Sequence, residues 1–214
     1  MINLRWKQKR LVMENALVVA RKIAEMVYPL REESIVKFAS ILIRRKLFKG
    51  DKFLDSGEVC DQLGYVESGL IRQYYFKNKR ELTEHFASEG NIFICIESFL
   101  CQRPANLLAE ALEDSVIYGI PHDPLLELCA TDYEIAVLYR KILEDSLILS
   151  QRKADSFRFE TSRQRYERLM RENPYIVQRA PLNYVASYLL MTPETLSRVR
   201  AMHPNSSHKS GGER

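Results

Sequence analysis

The sequence predicts an α+β protein: an N-terminal antiparallel β-roll, a long helix, and a C-terminal helix-turn-helix. Three observations carry this reading. Short β-rich runs separated by turn signals succeed one another from Phe48 to about Ile120. A long amphipathic run fills 132–156, and two short helical patterns joined by a tight turn fill 180–203. The 214 residues suit one large domain or two modest ones, and 46% hydrophobic content is that of a globular chain.

The leading segment, 1–27, begins basic and continues moderately apolar, with Glu14 and Asn15 inside it. It reads as an amphipathic helical extension ended by Tyr28-Pro29. No small-x-small site follows, so it is not a signal peptide, and no run approaches the roughly 20 apolar residues that span a bilayer. Glu32 to Leu47 reads as a helix with Ile35, Phe38, Ala39 and Leu42 on one face. The roll is expected within 28–131. Lys49-Gly50-Asp51 and Ser56-Gly57-Glu58 are turn signals around Phe53-Leu54. Leu63 to Phe76 reads as two strands bent at Ser68-Gly69, Lys77-Asn78-Lys79-Arg80 as a hairpin turn, Glu81–Ala87 as a further strand, and Ala109–Ile120 as another. Many short, evenly spaced strands argue for an antiparallel roll or barrel.

In 132–156, Ile135, Leu138, Ile142 and Leu149 follow helical spacing. This seam is too apolar to face water alone, so it packs on the roll or pairs with a second copy. It is assigned here as a dimerisation helix. Ser156 to about Ser162 is the expected hinge into a reader unit, 157–203. Arg163–Arg171 forms one more helix, ended by Asn173-Pro174. The Ser/Gly/charged tail, 204–214, reads as disordered.

The reader pattern is specific in its details. Pro181 suits a first helical position, and Leu182, Val185, Ala186 and Leu189 form one apolar stripe. Thr192 is a good N-cap, Pro193 fits the next position, and Glu194 and Thr195 complete a polar first turn. Leu196 and Val199 anchor this second helix, leaving Glu194, Ser197, Arg198 and Arg200 to face outward. Arg198 can donate to the O6/N7 edge of guanine, Glu194 can accept from cytosine N4, and Ser197 admits close approach. By itself the pattern is equally that of a helical hairpin with a solvated polar face.

Charge is unevenly distributed. Residues 1–156 carry 22 basic and 23 acidic side chains, whereas 157–203 carry 8 arginines and 4 glutamates. The excess of four cations lies with the DNA-reading pattern, as phosphate neutralisation requires. Arg200 and Arg179 are the candidate phosphate contacts. Cys60, Cys95, Cys101 and Cys129 form no Cys-x-x-Cys pair. They read as free thiols in a reducing cytoplasm. His85, His122, His203 and His208 have neither triad nor metal spacing, and no Gly-rich phosphate loop is present, so no enzymatic activity, metal or certain cofactor is expected.

Thr192-Pro193-Glu194-Thr195-Leu196-Ser197-Arg198 resembles the recognition helix of the Crp/Fnr family of bacterial transcription regulators, and the element order from about 28 to 203 resembles that family too. The resemblance implies a cyclic-nucleotide-binding-like roll and a homodimer on two-fold symmetric double-stranded DNA. Glu194, Ser197 and Arg198 would then read a TTGA-like half-site, and RNA polymerase is an implied further partner. Gly50, Gly57, Gly69 and Gly90 fall where such rolls turn. Two departures stand out: Leu190 replaces a turn glycine, and little room is left for the family's β-hairpin wing. The resemblance also implies an effector site at Glu97, Ser98 and Arg103. Its phosphate cradle is degraded, because an apolar residue replaces the second turn glycine and Pro104 follows Arg103. A small-molecule or cyclic-nucleotide effector other than cyclic AMP, or none, is the expectation. The competing function is a small-molecule sensor acting through protein contacts instead of DNA.

Overall fold

A computed structural model describes residues 2–78 and 80–202. The tail 204–214, His203, and Lys79 of the hairpin turn lie outside the described residues. Two helices open the chain, α1 (Ile2–Val27) and α2 (Glu32–Ile41). Eight strands follow: β1 (Ile43–Leu47), β2 (Lys52–Leu54), β3 (Gln62–Ser68), β4 (Ile71–Lys77), β5 (Arg80–Ala87), β6 (Ile92–Phe93), β7 (Leu107–Ala111) and β8 (Ser115–Pro121). A short helix, α3 (Ile96–Cys101), interrupts them. Then come α4 (His122–Thr131), α5 (Tyr133–Phe159), α6 (Ser162–Glu172), α7 (Pro174–Arg179), α8 (Leu182–Tyr188) and α9 (Pro193–Ala201).

The strands build the predicted roll as two four-stranded antiparallel sheets, ordered β1-β8-β3-β6 and β2-β7-β4-β5. Their inner faces share one core with α1, α2 and the first half of α5. The β3–β4 bend requires its glycine. Gly69 has φ +103°, and a Cβ there would lie 2.0 Å from the Ser115 hydroxyl. The elements differ from the expectation in places. The helix read as Glu32–Leu47 stops at Ile41, because Leu42 turns extended and Ile43–Leu47 pairs with β8. Long-range pairing there outweighs the local periodicity. The strand read within Ala109–Ile120, centred on Ser115–Tyr118, is β8, and the same run also holds the end of β7, which the reading does not separate. Helices α4 and α7 have no counterpart in the sequence reading: α4 sets Leu125, Leu128 and Cys129 on the roll core, and α7 is only six residues long. The hinge is shorter than expected: α5 continues to Phe159, and only Glu160 and Thr161 separate it from α6.

The dimer assignment needs the largest correction. Ile135 and Leu138 are fully buried, and Ile142 is nearly so, in the core of this same chain. They pack on the roll and do not form an open seam. Leu149 is half exposed, and so is Ile148, while Leu147 is 67% exposed. The uncovered apolar stretch of α5 is therefore 147–149.

The reader has its own core of Tyr166, Leu169, Ile176, Val185, Ala186, Leu189 and Leu196, completed by Leu70 and Phe86 of the roll. The reader thus docks directly on the roll's second sheet. No β-strand occurs in the described residues after β8.

Candidate DNA interface and effector cleft

Helix α9 is held by its cap and one buried anchor. The Thr192 side chain accepts a hydrogen bond from the Thr195 backbone N–H at 3.2 Å, Pro193 takes the first turn, and Leu196 is fully buried on the reader core. Thr192 and Thr195 also join hydroxyls at 3.2 Å, so both serve the helix start. Arg198 donates to the Thr195 hydroxyl at 3.4 Å. Glu194, Ser197, Arg198 and Arg200 are all exposed, as the spacing predicts. The Thr192 hydroxyl holds the Glu194 carboxyl below its ordinary range, which keeps it an acceptor. Arg200 leans on Tyr166 of α6, where it offsets part of the upward push that burial gives the phenol. Leu190 stands at φ 50°, the left-handed conformation that its replacement of a turn glycine requires.

Arg179 does not belong to this face. Its guanidinium donates to Glu89 at 2.8 and 2.9 Å and to Glu113 at 2.5 and 3.3 Å, both on the roll. It is a tie between reader and roll and would have to leave two carboxylates to reach a phosphate. Arg179 in turn holds Glu89 at a pKa of about 2. Further ties reinforce it. Ser187 of α8 accepts from the Thr83 N–H at 2.9 Å and donates to the Glu81 carbonyl at 3.2 Å. Arg72, with no exposed surface, lies 3.5 Å from the Tyr184 ring centre and 4.2 Å from that of Tyr74.

A cleft of about 390 Å³ opens between the roll and α5, with Glu97 and Arg103 on its wall. Both are exposed, and neither ion-pairs among the described residues. Ser98 cannot join them. It is buried, its hydroxyl accepts from the Cys60 N–H at 2.9 Å, and it donates to the Arg103 carbonyl at 2.5 Å. It fixes the loop and has no free donor for a ligand.

The sequence reading missed the other wall, from β4, β5 and α5: Tyr75, Glu84, His85 and Lys153. Lys153 pairs with the Glu84 carboxylate at 2.8 Å, also donates to the Glu84 carbonyl, and lies 5.3 Å from the Tyr188 ring centre of the reader. Burial lowers its pKa. Burial also pushes His85 down to about 4, and nearby Lys153 adds to the effect. Nothing in the periodicity of α5 marks Lys153, because its partner is 69 residues away.

Comparison with known proteins places these parts. Residues 44–132 match the model of the cyclic nucleotide-binding domain. FixK2 from Bradyrhizobium japonicum superposes with a TM-score of 0.65 at 18% identity, covering 75% of this chain and 83% of that one. A structure from Eubacterium rectale assigned to the Crp/Fnr family of transcriptional regulators gives 0.62 at 16% identity, covering 80% and 82%. The catabolite activator protein of Thermus thermophilus gives 0.54 at 20% identity, covering 83% and 84%. A search of curated proteins finds no match. The roll is thus similar to cyclic nucleotide-binding domains, and the chain has the fold of the Crp/Fnr regulators. No helix among the described residues is long and apolar enough to cross a membrane.

Proposed function

We propose that the protein is a homodimeric, sequence-specific DNA-binding transcription regulator with an altered effector cleft. The carrying observation is the face of α9: Glu194, Ser197 and Arg198 stand exposed on one side of a capped, anchored helix, with the side-chain chemistry that reads a G·C pair. A fold shared with regulators supports the reading without supplying it, since function resides in the site. Leu147, Ile148 and Leu149, uncovered on α5, are the surface for the second copy, which a two-fold DNA site requires.

The cleft supports a small-molecule effector that is not cyclic AMP. Ser98 is committed to the loop, and the first turn of α3 offers a carboxylate, Glu97, where an anion would seek free N–H groups. Calorimetry with cyclic AMP is expected to show no binding tighter than about 100 μM, an affinity of roughly −5.5 kcal/mol. The deciding experiment is binding selection on random duplexes with wild type and Arg198→Ala. The wild type should enrich a two-fold symmetric site with TTGA-like halves. Arg198→Ala should lose about 1–3 kcal/mol on that site and relax one G·C position. No enrichment by the wild type, or an unchanged preference in the variant, refutes the assignment.

A further inference from the structure

We propose that the tip of the β4–β5 hairpin is a second DNA-contacting element, in which Lys77 and Arg80 hold backbone phosphates beside the base-reading helix. The proposal rests on the DNA-binding reading above and extends it from the reader to the roll.

The placement follows from how α8 lies on the roll. Arg179, just before α8, ties to Glu89, beyond the end of β5. Tyr184 covers Arg72, which pairs with Phe86 across the β4–β5 ladder. Ser187, near the end of α8, bonds Thr83 and Glu81 at the start of β5. Arg179, Tyr184 and Ser187 thus meet the hairpin progressively nearer its tip, where Lys77 pairs in register with Arg80, while the Tyr188 ring turns back onto Phe86. The turn at 189–192 and the N-terminus of α9 come next. In a helix-turn-helix the N-terminal residues of the second helix meet the base edges while the first helix crosses the backbone. The end of the reader that must face DNA is thus the end beside this hairpin.

The tip has the chemistry for the task. Lys77 and Arg80 are exposed, and among the described residues neither has an ion-pair partner. The nearest carboxylates of the hairpin are already matched: Glu81 to Arg72 at 2.6 Å, and Glu84 to Lys153 at 2.8 Å. The Ser187 bonds hold Glu81 and Thr83, next to Arg80, against α8, so the β5 end of the hairpin is already anchored to the reader. Two phosphate contacts carry no base information, so they contribute affinity and salt dependence but not sequence preference.

The test compares wild type with the double variant Lys77→Ala/Arg80→Ala in salt titrations, by fluorescence anisotropy, on the selected duplex and on an unrelated one. Two lost phosphate contacts reduce the slope of log affinity against log salt by about 1.8. Between 50 and 200 mM salt, wild-type affinity should therefore fall about 12-fold further than that of the variant, on both duplexes, with the same selected sequence. Arg80→Lys, which keeps the charge, should restore the slope of an Arg80→Ala single variant. Ser187→Ala, which unpins α8 from β5, should move the slope toward that of the double variant. Equal slopes, or a changed base preference in the double variant, overturn the proposal. If Arg198→Ala loses its preference while the slopes coincide, the hairpin assignment alone falls. If the wild type selects no site, both fall.

Discussion

Arg72 braces the sheet on which the reader docks and stacks on the reader's Tyr184, so replacing it with alanine should weaken both the sheet and the docking. Its guanidinium is fully buried, donates to Thr83 at 2.9 Å, Glu81 at 2.6 Å and Glu110 at 3.1 Å, and lies between two tyrosine rings. Removing one member of a buried ion pair costs about 3–5 kcal/mol, because the other charge is left unpaired. Two features pull the figure toward the lower end. Glu110 keeps Lys52 at 3.0 Å, and Glu81 is exposed enough to turn to water. One guanidinium nitrogen, Nη2, has no partner in the native state, so its removal relieves a cost already present. Against this, the stack on Tyr184 and Tyr74 contributes about 1–2 kcal/mol where it is desolvated. The expected loss is about 3 kcal/mol. Urea unfolding followed by circular dichroism measures it. Limited proteolysis near Glu160-Thr161 reports whether the reader leaves the roll. Arg72→Lys should recover part of the charge and little of the stack. A loss below about 1 kcal/mol with unchanged proteolysis would mean that Arg72 merely fills space and that docking is held elsewhere.

Three further outcomes are expected. Leu190→Gly relieves a left-handed leucine that costs about 1–2 kcal/mol, partly offset by the added freedom of glycine in the unfolded chain; the melting temperature should rise, and a fall would show that the exposed leucine side chain contributes more than its backbone costs. His85, pushed down to about 4, is neutral in the folded protein and takes a proton more readily when unfolded, so stability should fall as pH drops from about 6.5 toward 4. The loss is on the order of 3 kcal/mol at most, since the ring borders open clefts, and His85→Gln should flatten that part of the urea-midpoint profile; the Glu89–Arg179 tie, with its carboxyl near 2, persists through that window and weakens only below about 4.5. Leu147→Glu should halve the sedimenting mass while leaving the fold intact, whereas Ile142→Glu should unfold the chain, because it buries a charge in the roll core.

Helix α5 shows why one class of inference was open to the sequence and another was not. Spacing alone showed that Ile135, Leu138 and Ile142 needed cover, because a helical apolar stripe cannot face water. It could not say what covers them, since a stripe packed on a neighbouring sheet and a stripe packed on a second copy have the same period. The roll core takes the helix as far as Ile142, and the same helix then emerges from it with Leu147, Ile148 and Leu149 uncovered. The face of α9 was legible because cap, anchor and outward residues all fall within one short segment, where local chemistry fixes geometry. Arg179 and Ser98 were misassigned for the opposite reason. Glu89, Glu113 and Cys60, which hold them, are 38 to 90 residues away, although Ser98 also donates to nearby Arg103, and a charged or hydroxyl side chain gives no local sign of a distant partner. The same limit hid Lys153 and Arg72, whose ring contacts, Tyr188 and Tyr184, lie far away in sequence. These contacts between distant segments also decide whether the exposed face of α9 works alone. Ser187, Arg179 and Arg72 join the reader to the roll, so on the proposed function the roll belongs to the DNA-binding surface, and Lys153, 5.3 Å from the Tyr188 ring centre, is a point of contact between the cleft and α8.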